Sequence, residues 1–176
     1  MTKSIKAKSK TERKPLTQER LKELFHYDLN TGIFTRTKNH GKSRIGARAG
    51  CRSVRDYRQL KVDYHKYYEH RLVWLYIYGH WPAAELDHIN GDTSDNCLCN
   101  LREATRAENQ RNSKIPRTNK SGYKGVFFDK RRGIYRSGIK IDGHYKYLGG
   151  FNNAIDAHRA YCDAAIIHFG NFARFN

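Results

Sequence analysis

Two adjacent residues near the middle of the chain, Asp87 and His88, have side chains that could together support hydrolysis. A carboxylate is a hard oxygen ligand suited to Mg²⁺ or Mn²⁺, and an imidazole can act as a general base near neutral pH. Neighbouring residues of an ideal strand point to opposite faces. A bend at the following turn, Asn90-Gly91-Asp92, would let one residue hold a metal while the other faces an attacking water.

Asparagine side chains follow this pair at spacings that could complete the site. Asn100 is placed to tie the loop to its flanking backbone. The capping box Thr105-x-x-Glu108 predicts the start of a helix, and Asn109 and Asn112 lie three residues apart on one face of it. The segment therefore predicts a strand, a loop, a second strand and a helix, and the amide oxygen of Asn109 can add a neutral metal ligand.

The charge of the chain favours a polyanionic partner. Of its 176 residues, 34 are Lys or Arg and 17 are Asp or Glu, a formal net charge of +17. Nucleic acid is the commonest partner of such a protein. Residues 81–112 reverse the balance with 6 acidic and 3 basic side chains. A nuclease needs acids where a metal is held against phosphate, although random clustering would give the same pattern.

Membrane insertion and secretion are disfavoured, because no apolar run approaches the roughly 18 residues that span a bilayer and no signal-peptide core is present. The four cysteines show no disulfide framework, which fits a reducing compartment and predicts a cytoplasmic protein. Cys97-x-Cys99 suggests zinc, but no second cysteine pair stands at finger-like spacing.

The elements around the site are predicted from hydrophobic patterning, and the whole reads as an α+β protein. Residues 1–14 are expected to form a basic disordered arm, residues 15–112 an N-terminal region with the site, residues 113–121 an extended linker and residues 122–176 a small second domain. The N-terminal region predicts, in order, a helix capped by Thr17, a hairpin turning at Asn30-Thr31-Gly32, a strand with Leu60, Val62 and Tyr64, and a buried helix from His70 to Tyr78. The second domain predicts strands at Tyr123–Phe128, Tyr135–Ile141 and Tyr145–Leu148, then a helix capped by Asn152 or Asn153 that runs to about His168.

The spacing of Asp87-His88, Asn100 and Asn109 resembles the ββα-metal site of HNH endonucleases, and most closely that of the homing type common in bacteriophages. The likeness extends to the N-terminal stretches Tyr27–Phe34 and His70–Leu72, and it places the ββα core at about residues 84–112. It implies that Asp87 and Asn109 bind one divalent cation, that His88 is the base and that Asn100 is structural. Asn112 and Arg111 are further candidates on the same helix.

The C-terminal part has its own likeness. Ser121–Val126, Tyr147–Phe151 and Ala154–Tyr161 resemble an AP2 DNA-binding domain, which lays a three-stranded sheet into the major groove of double-stranded DNA. The matching positions imply DNA contacts at Lys124, Arg136, Lys140, Tyr145 and Tyr147.

Together these features predict a metal-dependent DNA endonuclease, phage-encoded in a bacterial host, that nicks DNA as a monomer or weak dimer and uses Mg²⁺ or Mn²⁺. A non-catalytic, sequence-specific DNA-binding regulator with a decayed nuclease site is the alternative. An RNA-binding protein is a second alternative, which the lack of a stacking-platform signature disfavours.

Overall fold

The computed structural model describes residues 15–54 and 56–176, so the predicted basic arm at 1–14 lies outside the described residues. The described chain is a mixed α/β protein with several small antiparallel sheets. The helices are Gln18–Leu24 (α1), Glu69–Tyr78 (α2), Arg106–Arg111 (α3) and Ala154–Phe169 (α4). The strands are Phe25–Asp28 (β1), Ile33–Arg36 (β2), Cys51–Arg52 (β3), Arg58–Val62 (β4), His65–Tyr68 (β5), Glu85–His88 (β6), Leu101–Ala104 (β7), Val126–Asp129 (β8), Ile134–Ile141 (β9) and His144–Phe151 (β10).

The N-terminal elements surround one apolar core. Leu21 of α1, Phe34 of β2, Leu60 of β4 and Leu72 of α2 are fully buried within it. Burial of each such side chain stabilises the folded state by about 1.5–3 kcal/mol. Because α2 is held on this core, its first residue, Glu69, is fixed close to the loop that follows β6.

One predicted strand ends earlier than its alternation suggests. Leu60 and Val62 are buried on β4, but Tyr64 is 90% exposed and outside the strand. Asp63 and Tyr64 have φ of 43° and 70° and form the tight turn into β5. The prediction from the alternation of Leu60, Val62 and Tyr64 was therefore wrong at its end, because Tyr64 belongs to the turn that follows the strand.

The central segment has the predicted order of strand, loop, strand and helix. β6 and β7 pair antiparallel, with Asp87 opposite Arg102 and His88 opposite Leu101. Thr105 caps α3 with the predicted capping box. This hairpin and short helix position the side chains considered below.

The C-terminal elements are a three-stranded sheet in the order β10-β9-β8, with α4 on one of its faces. Ile139 of β9 is buried against Tyr161 and Ala165 of α4. β8 begins at Val126, three residues later than predicted, because the side chains of Asn119 and Ser121 bond the backbone of the preceding loop.

The two parts contact each other beyond the predicted linker. Arg111 of α3 forms an ion pair with Asp142 at 3.1 Å, and its guanidinium lies 4.9 Å from the centre of the Phe169 ring. The two units are therefore docked together rather than merely tethered. No helix in the described part of the chain is both long and apolar enough to cross a membrane.

Candidate nuclease site

The Asp87 carboxylate is buried and fixed from two sides. Nε and Nη2 of Arg102, directly across the hairpin, donate to Asp87 Oδ2 at 2.9 and 2.7 Å. The side-chain nitrogen of Asn112 lies 2.9 Å from both carboxylate oxygens and 2.8 Å from the His88 carbonyl oxygen. Oδ1 therefore keeps a lone pair that these contacts leave available.

The His88 ring is oriented by a chain of buried side chains. Its Nε2 lies 3.1 Å from Oδ1 of Asn96, whose Nδ2 donates to Glu69 Oε2 at 3.1 Å. An ionised carboxylate only accepts, so Glu69 fixes the Asn96 amide with its oxygen toward His88. His88 then carries its proton on Nε2, and Nδ1 is left to accept a proton.

The surroundings of His88 keep the imidazole neutral. Burial lowers its pKa, although the bond to Asn96 and the nearby Asp87 carboxylate oppose that shift. The rings of His70 and Tyr57 lie 5.2 and 6.0 Å from its own, centre to centre. Burial also lowers the pKa of His70, to about 3. A neutral imidazole is the form that can act as a base.

Glu69 belongs to a buried ion pair. Its Oε2 accepts from Arg58 Nε at 2.8 Å, and both side chains are almost wholly enclosed. Burial raises the pKa of Glu69, and the Arg58 guanidinium opposes that rise. Arg58 also donates to the carbonyl oxygen of Ala49. Glu69 is thus the fixed end of the chain that orients His88.

Asn100 ties the loop as the sequence predicts. Its Oδ1 accepts from the backbone N–H of Asn90, and its Nδ2 donates to the carbonyl oxygen of Asp95. These bonds close the loop between β6 and β7 around Asn96.

Asn109 faces the same cleft as Asp87 and His88. Its Nδ2 donates to Glu85 Oε2 at 2.8 Å, which turns its amide oxygen away from that carboxylate. The cleft has a volume of about 700 Å³ and is also lined by Asn112. The carboxylate oxygen of Asp87 and the amide oxygen of Asn109 are hard donors, so their chemistry fits Mg²⁺ or Mn²⁺.

The other candidates near the cleft take different positions. Asn112 is the C-cap of α3 and, as described, holds Asp87 directly. Arg111 points instead to Asp142 and the C-terminal unit. Cys97 and Cys99 carry free thiols, and no group of three or more His, Cys, Asp or Glu side chains suited to a metal is found among residues 15–54 and 56–176.

Most of the predicted DNA-contact residues share the sheet face opposite α4, which we call the open face. Arg136 and Lys140 lie four residues apart on the same face of β9. Tyr145 and Tyr147 share that face on β10, where they pair with Lys140 and Gly138. The Arg136 guanidinium lies 4.8 Å from the centre of the Tyr147 ring. A Cβ at Gly138 would collide with the Tyr145 ring, so the glycine lets that tyrosine lie across the sheet.

Lys124 is the predicted contact that does not lie on this face. Its ammonium donates to the carbonyl oxygens of Arg111 and Ser113 at 2.7 and 2.6 Å. Burial lowers its pKa to about 8. Lys124 therefore joins the two units, and its ammonium is already bonded there.

Sequence reasoning missed four residues around the cleft: Glu69, Asn96, Arg102 and Arg174. Arg102 could have been found, because it lies on the predicted second strand, which pairs antiparallel with the strand that carries Asp87. Glu69 and Asn96 are 27 residues apart and meet only through the tertiary fold, so local spacing carries no signal for them.

Residues 67–111 match the family model described as HNH endonuclease. The chain is also similar to Protein 3.8 of Escherichia phage T7, with 34% identity over 89 residues that make up 48% of this chain and 74% of the phage protein. No solved structure matches the chain. The family segment runs from β5 to the end of α3 and so contains Asp87, His88, Asn100 and Asn109.

Proposed function

We propose that this chain, which belongs to the family of Protein 3.8 of Escherichia phage T7 and carries an HNH endonuclease domain at residues 67–111, is a metal-dependent DNA endonuclease of the homing type. Its reaction would be hydrolysis of phosphodiester bonds in double-stranded DNA. The observation that carries the proposal is the convergence of Asp87, His88 and Asn109 on one cleft, with His88 held so that Nδ1 can accept a proton.

In the proposed mechanism, Nδ1 of His88 removes a proton from a water molecule, which attacks the phosphorus atom. Asp87 and Asn109 would hold one divalent cation, Mg²⁺ or Mn²⁺, whose charge stabilises the negative charge of the transition state. Arg102 and Asn112 position the Asp87 carboxylate. The bond between phosphorus and the 3′ oxygen breaks, the 3′ oxygen takes up a proton from solvent to become a hydroxyl group, and the other product carries a 5′ phosphate.

The open face of the C-terminal sheet would bind duplex DNA in the manner of an AP2-like domain. Lys140 supplies an exposed positive charge there, and Tyr145 and Tyr147 are 58% and 46% exposed on the same face. Arg136 lies on that face 3.6 Å from Asp129, with which it forms an ion pair. Basic side chains and tyrosine hydroxyl groups are among the groups that contact DNA phosphates. With one candidate nuclease site among the described residues, a monomer would nick one strand. The phage relative supports action in the cytoplasm of a bacterial host.

The test is cleavage of supercoiled plasmid with Mg²⁺, with Mn²⁺ and with EDTA. We expect open-circular product with either metal, none with EDTA, and none from Asp87→Ala under any condition. Asp163→Ala is the matched control, since Asp163 is an exposed acid on α4. DNA binding without metal-dependent cleavage would instead identify a DNA-binding regulator with a decayed nuclease site.

A further inference from the structure

The segment after α4 crosses to the nuclease unit. A short 3₁₀ turn at Gly170–Phe172 follows the helix, and the carbonyl oxygen of Asn171 accepts from Arg102 Nη1 at 2.8 Å. The Phe172 ring lies under the same guanidinium, 3.6 Å from ring centre to Cζ. A cation at this distance from an aromatic face is attracted to the ring.

This docking point is the arginine that holds Asp87. Nε and Nη2 of Arg102 donate to the Asp87 carboxylate. Its Nη1 donates to Asn171, and the face of its guanidinium packs on the Phe172 ring. The segment is therefore held beside the cleft through a side chain of the cleft itself.

Two residues further on, Arg174 enters the cleft. Its Nη1 lies 3.4 Å from the carbonyl oxygens of Asn90 and Asn112, which flank the site on either side. A Cβ at Gly91 would collide with the Arg174 guanidinium, so this glycine of the turn leaves the space that the arginine occupies. Arg174 lines the same cleft as His88.

The charge of Arg174 has no side-chain counterpart there. Within residues 15–54 and 56–176, no Asp or Glu side chain lies within ion-pair distance of Arg174, whereas Arg58 and Arg102 are each paired with a carboxylate. Nε of Arg174 donates to the main-chain oxygen of Asn176 at 2.7 Å, and Nη1 lies at the longer distance of 3.4 Å from the two carbonyl oxygens. Nη2 has no hydrogen-bond partner among the described residues. The N–H groups of Nη2 can donate to an oxyanion such as phosphate, and the positive charge of the guanidinium strengthens such bonds.

We propose that Arg174, carried into the cleft by the C-terminal segment, binds a phosphate group of the DNA strand at the nuclease site. The C-terminal unit then contributes to the site as well as to DNA targeting. The proposal deepens the proposed function and rests on it for the identity of the ligand.

The test measures binding of a short random-sequence duplex in EDTA over a range of salt concentrations. For Arg174→Ala we expect affinity about tenfold lower and a salt slope, log K against log [salt], smaller by about 0.9, because one phosphate contact is lost. Arg174→Lys should keep the slope, since the charge remains, but bind less tightly than the parent. Arg159→Ala is the matched control, because Arg159 is an exposed arginine on α4 that pairs with Asp156; it should behave as the parent.

Equal affinity and equal slope for Arg174→Ala and Arg159→Ala would overturn the proposal. Thermal unfolding of all three variants, with the parent's midpoint expected, removes misfolding as an explanation. Because the duplex is bound in EDTA, the result does not depend on cleavage. A parent that fails to cut plasmid while Arg174→Ala loses affinity would end the proposed nuclease function and support the phosphate contact.

Discussion

Nε2 of His88 and Oδ1 of Asn96 lie 3.1 Å apart in the buried interior of the loop between β6 and β7. Because Glu69 fixes the amide of Asn96, this contact selects one tautomer of the imidazole as well as one orientation. The base of the proposed reaction is therefore arranged before DNA binds. Such pre-organisation places the proton acceptor without reorganisation during the reaction.

His88→Ala should reduce plasmid cleavage by a hundredfold or more, about the contribution of a positioned general base. The affinity for DNA should remain close to that of the parent, because the proposed role of Nδ1 is to accept a proton from water and not to bind phosphate. Cleavage rates with Mn²⁺ and duplex affinity in EDTA measure the two effects separately. His65→Ala, at an exposed histidine of β5, is the control. A His88→Ala protein that cleaves within about tenfold of the parent would show that another group is the base.

Asn96→Ala should lower the cleavage rate by roughly ten- to a hundredfold, the usual cost of losing a group that orients a ligand or base. The separate readout is the tautomer of His88 from the ¹⁵N shifts of its ring. We expect Nε2–H in the parent and a mixture of tautomers in the variant. Asn39→Ala removes an exposed loop asparagine for comparison. An unchanged His88 tautomer in Asn96→Ala would show that Asn96 does not orient the ring.

The sequence was sufficient where structure is local. The capping box of α3, the hairpin of β6 and β7 and the loop bonds of Asn100 follow from neighbouring residues and were predicted. The contacts of Asn96 with Glu69 and of Arg102 with Asn171 join residues 27 and 69 positions apart, and no periodic pattern encodes them. The role of Lys124 was misplaced for a related reason.

Lys124 lies within the predicted strand Tyr123–Phe128, and the resemblance placed it among the DNA contacts, but the observed strand β8 begins only at Val126. The direction of a side chain just before a strand depends on its tertiary neighbours. Here the neighbours are the last residue of α3 and the chain that follows it, whose carbonyl oxygens at Arg111 and Ser113 accept from Lys124. The composition of the predicted linker at residues 113–121 does not indicate that the C-terminal unit packs against the end of α3.

Arg58→Met should destabilise the protein by about 3–5 kcal/mol, because Glu69 would be left as a buried charge without its partner. The double variant with Glu69→Met should cost less than the sum of the single changes, since neither charge remains buried. Urea unfolding of the two single variants and the double variant gives these values. Additive costs would show that the pair is not energetically coupled.

Stability should fall with acidification partly because of His70. Its folded-state pKa of about 3 lies below the ordinary value of 6.5, so the unfolded chain takes up the proton first as the pH drops. The contribution of neutral His70 to the free energy of unfolding is fully present above pH 6.5 and is lost progressively as the pH falls toward 3. Between pH 7 and pH 5 this loss amounts to about 2 kcal/mol.

His70→Phe should remove that part of the pH dependence. Unfolding free energies of parent and variant at the two pH values give the comparison, and groups that titrate in both proteins cancel in the difference. The same fall in stability for both would mean that His70 is not the group responsible.

The open face of the C-terminal sheet can be tested with two lysines on neighbouring strands. Lys140 lies on β9 beside Tyr145 on the open face, whereas Lys146 pairs with Ile139 and lies on the opposite face, toward α4. Both side chains are exposed and carry the same charge, so they differ mainly in the face they occupy. Lys140→Ala should weaken duplex binding severalfold and reduce the salt slope by about 0.9, while Lys146→Ala should change neither. If Lys140 reads a base, its loss should also relax sequence preference, because the affinity for the preferred site would fall more than that for random duplex.

Equal effects of the two substitutions on affinity and slope would mean that DNA binding depends on the total charge of the C-terminal unit and not on which face of the sheet carries the lysine.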